Sequence, residues 1–348
     1  MNESPAQSGY RMPAEWEPHE ATWLSWPHNP ETWPGKMEPI PAVWAVMITA
    51  LIPGETVHLN INDAKMEKEA KAFLKSKKVP LQNLVFHIFP TDDCWMRDCG
   101  PVFVTRETKG KKELAAIDWI FNKWGGKYPP WELDNEIPKK IADAFKIPRF
   151  EPGIILEGGS IEVNGLGSLL TTESCLLNRN RNPRLNKKEI ETYLKNFLGV
   201  TNVLWLGEGI VGDDTDGHID DITRFVNADT VVTAVEEDPR DENYKILRDN
   251  LRRLEKMKDQ NGKNLNIVPL PMPGAVHYEN QRLPASYANF YIGNSAVLIP
   301  TYEHHNDAIA KETLRKLFPG RKIVGIPSMD LIWGLGAFHC ITQQQPAI

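Results

Sequence analysis

The chain has 348 residues, of which 41% are hydrophobic and 25% charged, with a formal net charge of −6. A chain of this length can bury a large core, and its acidic balance argues against a nucleic-acid-binding surface. It contains no stretch near the roughly 18 consecutive apolar residues of a membrane helix, so we expect no membrane partner. Residues 1–10 are polar and lack an apolar signal core, which predicts a cytoplasmic location.

The first predicted elements alternate between strand and helix. An apolar run at 21–26 predicts a strand, and residues 41–51 predict a buried helix with proline in its first turn. Residues 56–60 alternate like a strand, 64–77 are typical of a charged amphipathic helix, and 84–89 predict another strand. This order is that of a βαβ unit.

The same rhythm continues along the chain. Further helices are predicted at 135–145, 187–198, 242–258 and 307–318. Further strands are predicted at 102–105, 114–121, 153–156, 160–163, 168–172, 203–206, 222–235, 267–270, 289–292, 296–300, 322–326 and 337–342. The pattern predicts an α/β protein of about five ββαβ-like modules. Because no linker interrupts it, we expect residues 1–348 to form a single domain.

The four cysteines are too few for a disulfide scaffold in a chain of this length. Cys94 and Cys99 lack a CxxC motif or clustered histidines, so we expect no metal and no cofactor. Cys340 follows a glycine-containing loop and opens an apolar pair, which could expose its sulfur at a strand end. A thiolate there is a strong nucleophile if a nearby histidine or cation lowers the thiol pKa.

Among nine histidines, His218 is the best partner for a thiol because it lies in the sequence Gly-His-Ile-Asp. On a strand, His218 and Asp220 would project from the same face. His339, next to Cys340, would point the opposite way and is expected to pack or to hydrogen-bond elsewhere. A histidine taken alone is more often structural, so this interpretation depends on its neighbours.

Two further acids, Asp98 and Glu157, lie at predicted borders between strand and loop. Each one alone is most simply a surface carboxylate. A cysteine protease needs one histidine and one asparagine or aspartate, whereas planar, cationic guanidinium can be bound bidentately by two opposed carboxylates. A third acid bonded to the histidine would raise its pKa and fix its tautomer. One cysteine, one histidine and three acids therefore suit attack on a guanidinium carbon.

Motifs from nearly the whole chain, taken in order, resemble those of the agmatine deiminases in the guanidino-modifying (pentein) superfamily. They are MPAEWEPH at 12–19, WMRD at 95–98 with GP at 100–101, FN at 121–122 with WGGKY at 124–128, EGGS at 157–160, NRNP at 180–183, DDTDGHID at 213–220, RLPASYANFY at 282–291 and HCITQQQP at 339–346. The resemblance implies a five-bladed α/β propeller with pseudo-fivefold symmetry and an active site in its central channel.

The resemblance also implies roles for five residues. Cys340 is the nucleophile and His218 the general acid and base, while Asp98 and Asp220 hold the guanidinium and Glu157 pairs with His218. The implied reaction hydrolyses agmatine to N-carbamoylputrescine and ammonia through a covalent amidino-cysteine intermediate, a step toward putrescine. Peptidyl-arginine deiminases are the alternative. A catalytically silent binding protein is less favoured, because both Cys340 and His218 are present.

Three positions depart from the usual family pattern. Leu335 interrupts a glycine run, Lys123 stands where a small residue is common, and Cys99 stands where threonine is usual. None of them is one of the five implied catalytic residues, so the reaction type is unaffected. The change at Leu335 could alter the entrance to the site.

Agmatine carries a distal ammonium that also needs recognition. Trp95, Asp213 and Asp214 lie in matched motifs and could offer a cation–π face or negative charge, unless they form a polar loop with a packed tryptophan. Asp213 and Asp214 have no lysine or arginine next to them in sequence, so we expect an acidic entrance. The expected partner is a small guanidino substrate, and a homo-oligomer is compatible with the sequence.

Overall fold

The computed structural model describes residues 4–348, and five of its sheets share one strand pattern. In each of these sheets a first strand runs antiparallel to a central strand, and the central strand runs parallel to its other neighbour. A helix connects the two parallel strands, as parallel pairing requires. The protein is therefore a mixed α/β fold.

The first sheet brings together the N-terminal and C-terminal parts of the chain. Its strands, in sheet order, are Gln343–Pro346, His19–Ser25, Thr56–Ile61 and Leu84–Ile88. Its crossover helices are Ile40–Leu51 and Ala64–Ser76.

The second to fifth sheets have three strands each and follow one another along the chain. Their strands, in sheet order, are Val102–Thr108, Lys111–Ile117 and Arg149–Phe150; Glu162–Val163, Ser168–Thr172 and Asn202–Leu206; Thr223–Phe225, Thr230–Val235 and Asn266–Pro271; and Tyr291–Ile292, Ala296–Thr301 and Lys322–Pro327. Their crossover helices are Ile137–Phe145, Lys187–Leu198, Asn243–Leu254 and Asn306–Leu317.

Short elements connect these parts. The helical turns are Met96–Cys99, Lys123–Gly126, Glu132–Asn135, Gly158–Ser160, Glu173–Leu176, Ile219–Asp221 and Leu331–Gly334, and a small hairpin pairs His277–Tyr278 with Gln281–Arg282. None of the helices within residues 4–348 is long and apolar enough to cross a membrane.

Strands and helices bury their side chains in different patterns. The central strand Thr230–Val235 is a run of small and β-branched residues, nearly all buried, because neighbours cover both faces of the sheet. The helix Lys187–Leu198 is amphipathic and begins with a capping box formed by Asn186 and Glu189. Its buried residues recur at four-residue spacing: Ile190, Leu194 and Leu198.

The six predicted helices are all present, with ends that differ by a few residues. In the middle of the chain, one predicted strand is wrong and another is shorter than predicted. Residues 153–156 contain only an isolated bridge between Ile155 and Ile120, and the stretch 160–163 is a strand only at Glu162–Val163. The physical reason is that apolar residues at these places are buried in turns, where they make no ladder of strand hydrogen bonds.

Two further strand predictions need correction near the later site. The run 222–235 divides into two antiparallel strands, with a turn around residues 227–229. Residues 337–342 form a buried turn, and the strand begins after it, at Gln343. Cys340 therefore lies on a turn whose apolar side chains Phe338 and Ile341 are fully buried, and this burial produced the strand-like pattern.

Candidate active site

Five buried segments lie just ahead of the first strands of the five similar sheets. Each segment contains one of the polar residues Asp98, Glu157, Asp220, Asn289 and Cys340. All five residues are at most 5% exposed. Four of them were predicted from the sequence, and Asn289 was not. Its signal was the repeated position itself, which becomes visible only once the five first strands are known.

Several of these side chains converge on Gly159. A β-carbon added at Gly159 would lie 2.6 Å from Nδ1 of His218, 2.8 Å from Oδ1 of Asp98 and 3.0 Å from Oδ2 of Asp220. The sulfur of Cys340 lies 3.7 Å from the same Oδ2 atom of Asp220. The glycine is required here because any side chain would fill the space in which a histidine and two carboxylates meet.

Asp98 is held by two donors. Its Oδ1 accepts a hydrogen bond from the backbone N–H of Gly159 at 2.9 Å, and its Oδ2 accepts one from the indole of Trp124 at 2.9 Å. Burial and the negative charge of Glu157 raise the pKa of Asp98 to about 7. The carboxylate is thus fixed in orientation and costly to ionise unless a cation approaches.

His218 and Asp220 do not lie on a strand, so the same-face projection that a strand would give them does not apply. His218 is extended, and residues Ile219–Asp221 form one helical turn after it. The turn still directs both side chains towards Gly159. The backbone N–H of His218 donates to Oδ2 of Asp213 at 3.0 Å, which fixes the entry into the turn.

Glu157 lies near His218 without bonding to it. Its Oε1 accepts a hydrogen bond from Nε of Arg181 at 2.8 Å, and neither its Oε2 nor either ring nitrogen of His218 has a hydrogen-bond partner within residues 4–348. Burial and the Arg181 guanidinium hold the pKa of His218 well below its usual range. The imidazole is therefore neutral near pH 7.

Cys340 is the cysteine that reaches the cavity described below, whereas Cys94, Cys99 and Cys175 are at most 2% exposed. The side-chain amide of Asn289 donates to the Cys340 sulfur at 3.0 Å, and its carbonyl oxygen accepts from the backbone N–H of His339. Burial and the surrounding carboxylates, Asp220 first, raise the pKa of the Cys340 thiol well above its usual range. The thiol needs a neighbouring positive charge to ionise.

A cavity of about 460 Å³ opens onto this cluster. Its walls include Cys340 and Asp98, and four aromatic side chains: Trp95, Trp124, Tyr128 and Trp333. Carboxylates outnumber ammonium groups in its lining, which contains Glu31, Asp92, Asp93, Asp98 and Asp214 against Lys123 and Lys127. An acidic, aromatic cavity favours a cationic ligand with an apolar stem.

The structure separates the three residues expected near the distal ammonium. Trp95 and Asp214 line the cavity, but Asp213 instead accepts hydrogen bonds from Thr215 and from the backbone of His218. No lysine or arginine is next to Asp214 in sequence, but Nζ of Lys127 lies 3.2 Å from its Oδ1 and partly offsets the acidic entrance. A residue distant in sequence supplies this lysine, so adjacency along the chain did not reveal it.

The three positions that depart from the family pattern lie in or near the cavity wall. Leu335 is left-handed, with φ of 69°, and its side chain lines the cavity. Lys123 is also left-handed and buried, and its ammonium lies 3.5 Å from a carboxylate oxygen of Asp93 and 3.6 Å from one of Asp134. Cys99 is buried, and this burial raises its thiol pKa.

One group of three potential metal ligands forms within residues 4–348. The ligand atoms of Glu157, Cys175 and His218 lie within 4.8 Å of one another, and all three residues are fully buried. The Arg181 guanidinium bonded to Glu157 places a positive charge beside them, which disfavours a divalent cation. Sequence spacing did not bring these residues together.

Comparison with known proteins places the chain among deiminases. The "Agmatine deiminase" of Ectopseudomonas mendocina is 37% identical over 100% of this chain and 98% of its own length. The "Putative agmatine deiminase" of Legionella pneumophila strain Paris is 38% identical over 99% of this chain and 98% of its own length.

Solved structures show the same fold. The agmatine deiminase of Enterococcus faecalis superposes with a TM-score of 0.92 at 33% identity, covering 99% of this chain and 98% of its own. The putative arginine deiminase from Porphyromonas gingivalis superposes with a TM-score of 0.86 at 36% identity, covering 97% and 98%. The model of the Porphyromonas-type peptidyl-arginine deiminase family matches residues 11–346. The chain therefore belongs to the Porphyromonas-type peptidyl-arginine deiminase family.

Proposed function

We propose that the protein hydrolyses agmatine to N-carbamoylputrescine and ammonia, with Cys340 as the nucleophile. The observation that carries the proposal is the convergence of Cys340, His218, Asp98 and Asp220 at one end of an acidic, aromatic cavity. Relatives named agmatine deiminase match over the full chain, and one solved relative, from C. jejuni, is an agmatine deiminase with substrate bound.

The bound substrate supplies the positive charge that the Cys340 thiol needs in order to ionise. The planar guanidinium lies between the carboxylates of Asp98 and Asp220, which bind its N–H groups and keep it oriented. Its positive charge offsets the carboxylates that raise the pKa of Cys340, so the thiolate becomes accessible when substrate is bound. The Asn289 amide donates to the sulfur and stabilises the same thiolate.

The reaction then proceeds in two halves. Cys340 forms an S–C bond to the guanidinium carbon, and His218, having accepted the thiol proton, transfers it to the nitrogen that leaves as ammonia. The product of this half is a cationic amidino-thioether. His218 next removes a proton from water, the water oxygen bonds to carbon, and the S–C bond breaks to release N-carbamoylputrescine. His218 returns its proton to the Cys340 sulfur, and the remaining proton of the cationic intermediate passes to the released ammonia. Glu157, close to His218, favours its protonated form during both transfers.

The predicted domain organisation and the predicted recognition of the distal ammonium fit this activity. We propose that residues 1–348 form one catalytic domain, with the five similar sheets arranged as a five-bladed propeller around the site. The repeated placement of site residues ahead of each first strand supports that arrangement. For the distal ammonium we propose Trp95 and Asp214, while Asp213 supports His218. The cytoplasmic location stays a prediction.

A peptidyl-arginine substrate is the second candidate, because the matching family model is named for that activity. Agmatine, free arginine and a blocked arginyl peptide, assayed side by side for ureido product and ammonia, separate the two. We expect turnover of agmatine to exceed that of the other two by at least about a hundredfold in kcat/KM. Comparable or higher efficiency with the peptide would reject agmatine as the substrate.

The covalent step is tested on the same protein. Cys340→Ser should fold yet lose at least about a thousandfold in turnover, because a hydroxyl is much harder to ionise than a thiol. Cys94→Ser serves as the matched control and should retain activity, since Cys94 is fully buried away from the cavity. Near-native turnover by Cys340→Ser would remove Cys340 from the mechanism.

A further inference from the structure

His339 lies between two carboxylates in the buried region behind the site. Its Nδ1 lies 2.6 Å from Oδ2 of Asp220, and its Nε2 lies 2.9 Å from Oε2 of Glu15. All three residues are at most 4% exposed. The sequence prediction for His339 was a packing or hydrogen-bonding role, and the structure shows hydrogen-bonding contacts through both ring nitrogens.

These two contacts require two protons. Neither carboxylate can donate when ionised, and a neutral imidazole has only one N–H, so it can satisfy only one of them. The trio therefore holds either an imidazolium between two carboxylates, or a neutral imidazole that donates to one acid and accepts from the other. No residue of this trio is open to solvent, so the second proton must be held within the trio itself.

Glu15 is the ionised end of the trio. Its carboxylate accepts hydrogen bonds from Arg224 at 2.8 Å, from Arg97 at 3.1 Å and from the backbone N–H of Ile292 at 2.8 Å. Burial alone would raise the pKa of Glu15, but the charges of Arg224, His339 and Arg97 hold it well below its usual range. Asp220 is the opposite, since burial and the charge of Asp98 raise its pKa well above the usual range. The second proton thus lies between His339 and Asp220.

The two oxygens of Asp220 face different groups. Oδ2 contacts His339 and lies 3.7 Å from the Cys340 sulfur, whereas Oδ1 is buried and has no hydrogen-bond partner within residues 4–348. Oδ1 is therefore the atom available to a substrate N–H, while the contact through Oδ2 sets the rotation of the carboxyl group. The orientation of the guanidinium-binding acid depends on His339.

We propose that His339 is a positioning residue that orients Asp220 for the guanidinium and takes up the Asp220 proton when the cation binds. This inference rests on the proposed function. In the exchange the proton leaves Oδ2 of Asp220 and joins Nδ1 of His339, so a neutral acid and a neutral imidazole become a carboxylate and an imidazolium. The imidazolium keeps its second N–H towards Glu15. The N-terminal motif that contains Glu15 thereby supports the active site from behind.

Two substitutions of His339 test the contacts of its two ring nitrogens separately. The amide of His339→Asn can stand in for Nδ1 and keep the contact with Asp220, while that of His339→Gln can stand in for Nε2 and keep only Glu15. We expect His339→Gln to raise KM for agmatine at least about tenfold, and more than it lowers kcat, the cost of an unsatisfied buried carboxyl group. His339→Asn keeps the contact with Asp220 but cannot take up its proton, so it should raise KM only about threefold, clearly less than His339→Gln.

His58→Gln is the matched control, because His58 is a buried histidine paired with His87 at 2.8 Å and not with the site. It should leave KM and kcat unchanged. A merely structural role for His339 would instead lower the unfolding temperature of both variants and impair both equally. Equal KM values for His339→Asn and His339→Gln would therefore overturn the positioning role.

Proton uptake is read directly by ¹⁵N NMR of histidine-labelled Cys340→Ser protein, with the His339 signals assigned from their loss in the His339→Asn variant. We expect the ring nitrogens to change from neutral to imidazolium shifts on addition of agmatine. Unchanged neutral shifts in the agmatine-bound protein would overturn the exchange. Failure of the proposed function itself shows in wild type, as absent turnover of agmatine, whereas failure of this inference leaves wild-type turnover intact.

Discussion

At the scale of single residues, several side chains of the site are destabilised in their ionised forms when no ligand is bound. Burial and nearby carboxylates raise the pKa values of Asp98, Asp220 and Cys340, and burial lowers the pKa of His218. Binding one cation relieves the first three together, because it favours each ionised form. Burying these groups lowers folding stability, and it makes the site complementary to a positively charged ligand.

The pKa of Asp98 predicts a pH dependence. Asp98 has a pKa of about 7, and in the proposed mechanism it binds guanidinium as the carboxylate. Because its pKa is raised, the neutral acid predominates below pH 7, and kcat/KM for agmatine should rise with pH up to that value and then level. Asp98→Asn should lose at least about a hundredfold in kcat/KM and lose this rise as well.

The check is a pH profile of kcat/KM for wild type and Asp98→Asn, each between pH 5 and 9. Since ionising buried Asp98 opposes folding at high pH, Asp98→Asn should also unfold at a higher temperature than wild type at pH 8. A profile that falls across pH 6 to 8 would contradict the assignment of Asp98 as a carboxylate that binds the cation.

Asn289 gives the second prediction at this scale. Its amide donates to the Cys340 sulfur at 3.0 Å, so removing it should raise the thiol pKa in the presence of substrate analogue and slow alkylation at neutral pH. We expect Asn289→Ala to lower turnover about ten- to a hundredfold. The measurement is the pH dependence of iodoacetamide labelling of Cys340. Labelling that matches wild type at every pH would show that the hydrogen bond has no effect on the thiolate.

At the scale of elements, the turn 334–336 before Cys340 sets the entrance. Leu335 has a left-handed backbone, which costs a residue with a β-carbon about 1–2 kcal/mol. Its side chain also lines the cavity and packs against the core, which offsets part of that cost. The neighbouring Gly336 has no such freedom, since an added β-carbon would lie 2.5 Å from Trp95.

This turn therefore predicts opposite effects at adjacent positions. Leu335→Gly should relieve the backbone strain, change stability by less than about 1 kcal/mol and widen the entrance, so that arginyl peptides gain in kcat/KM relative to agmatine. Gly336→Ala should displace Trp95 and lower turnover of every substrate. Steady-state kinetics on agmatine and a blocked arginyl peptide measure both. An unchanged preference in Leu335→Gly would mean that the turn does not limit access.

At the scale of the whole molecule, the acidic cavity favours positively charged ligands over negatively charged ones. Carboxylates exceed lysines in its lining, so the carboxylate of free arginine is repelled where the tail of agmatine is not. Lys127 partly neutralises Asp214, so Asp214→Asn should raise KM for agmatine only about two- to fivefold and alter kcat less. Kinetics of Asp214→Asn at low and high salt test this, and a main effect on kcat would place Asp214 in the chemistry instead.

Metal removal tests the mechanism for the molecule as a whole. The implied chemistry uses only side chains, and Arg181 disfavours a cation at the Glu157–Cys175–His218 group. Full activity should therefore persist after exhaustive chelation, with no stoichiometric zinc by elemental analysis. Loss of activity that one specific metal restores would contradict a metal-free reaction, and Cys175→Ser would then show whether this group binds it.

The sequence by itself determined the helices, most strands and the family to which the chain belongs. Apolar periodicity is a local property, so helices such as Lys187–Leu198 were predicted at their observed bounds. Motif order identified Cys340, His218, Asp98, Asp220 and Glu157 before any distance was known, and the family resemblance is confirmed by the matching family model. These features reside in residue types and their order along the chain.

Only the tertiary structure decided how those residues meet. Residues 337–342 look like a strand in sequence because their apolar side chains are buried, yet they form a turn, and Ile219–Asp221 form a helical turn that carries Asp220. Asn289, Lys127 and Glu15 lie in the matched motifs at 282–291, 124–128 and 12–19, but the motifs do not show which site residues these side chains contact. Contacts across different sheets depend on how the chain packs in three dimensions, which is why the support behind Cys340 could not be read from the sequence.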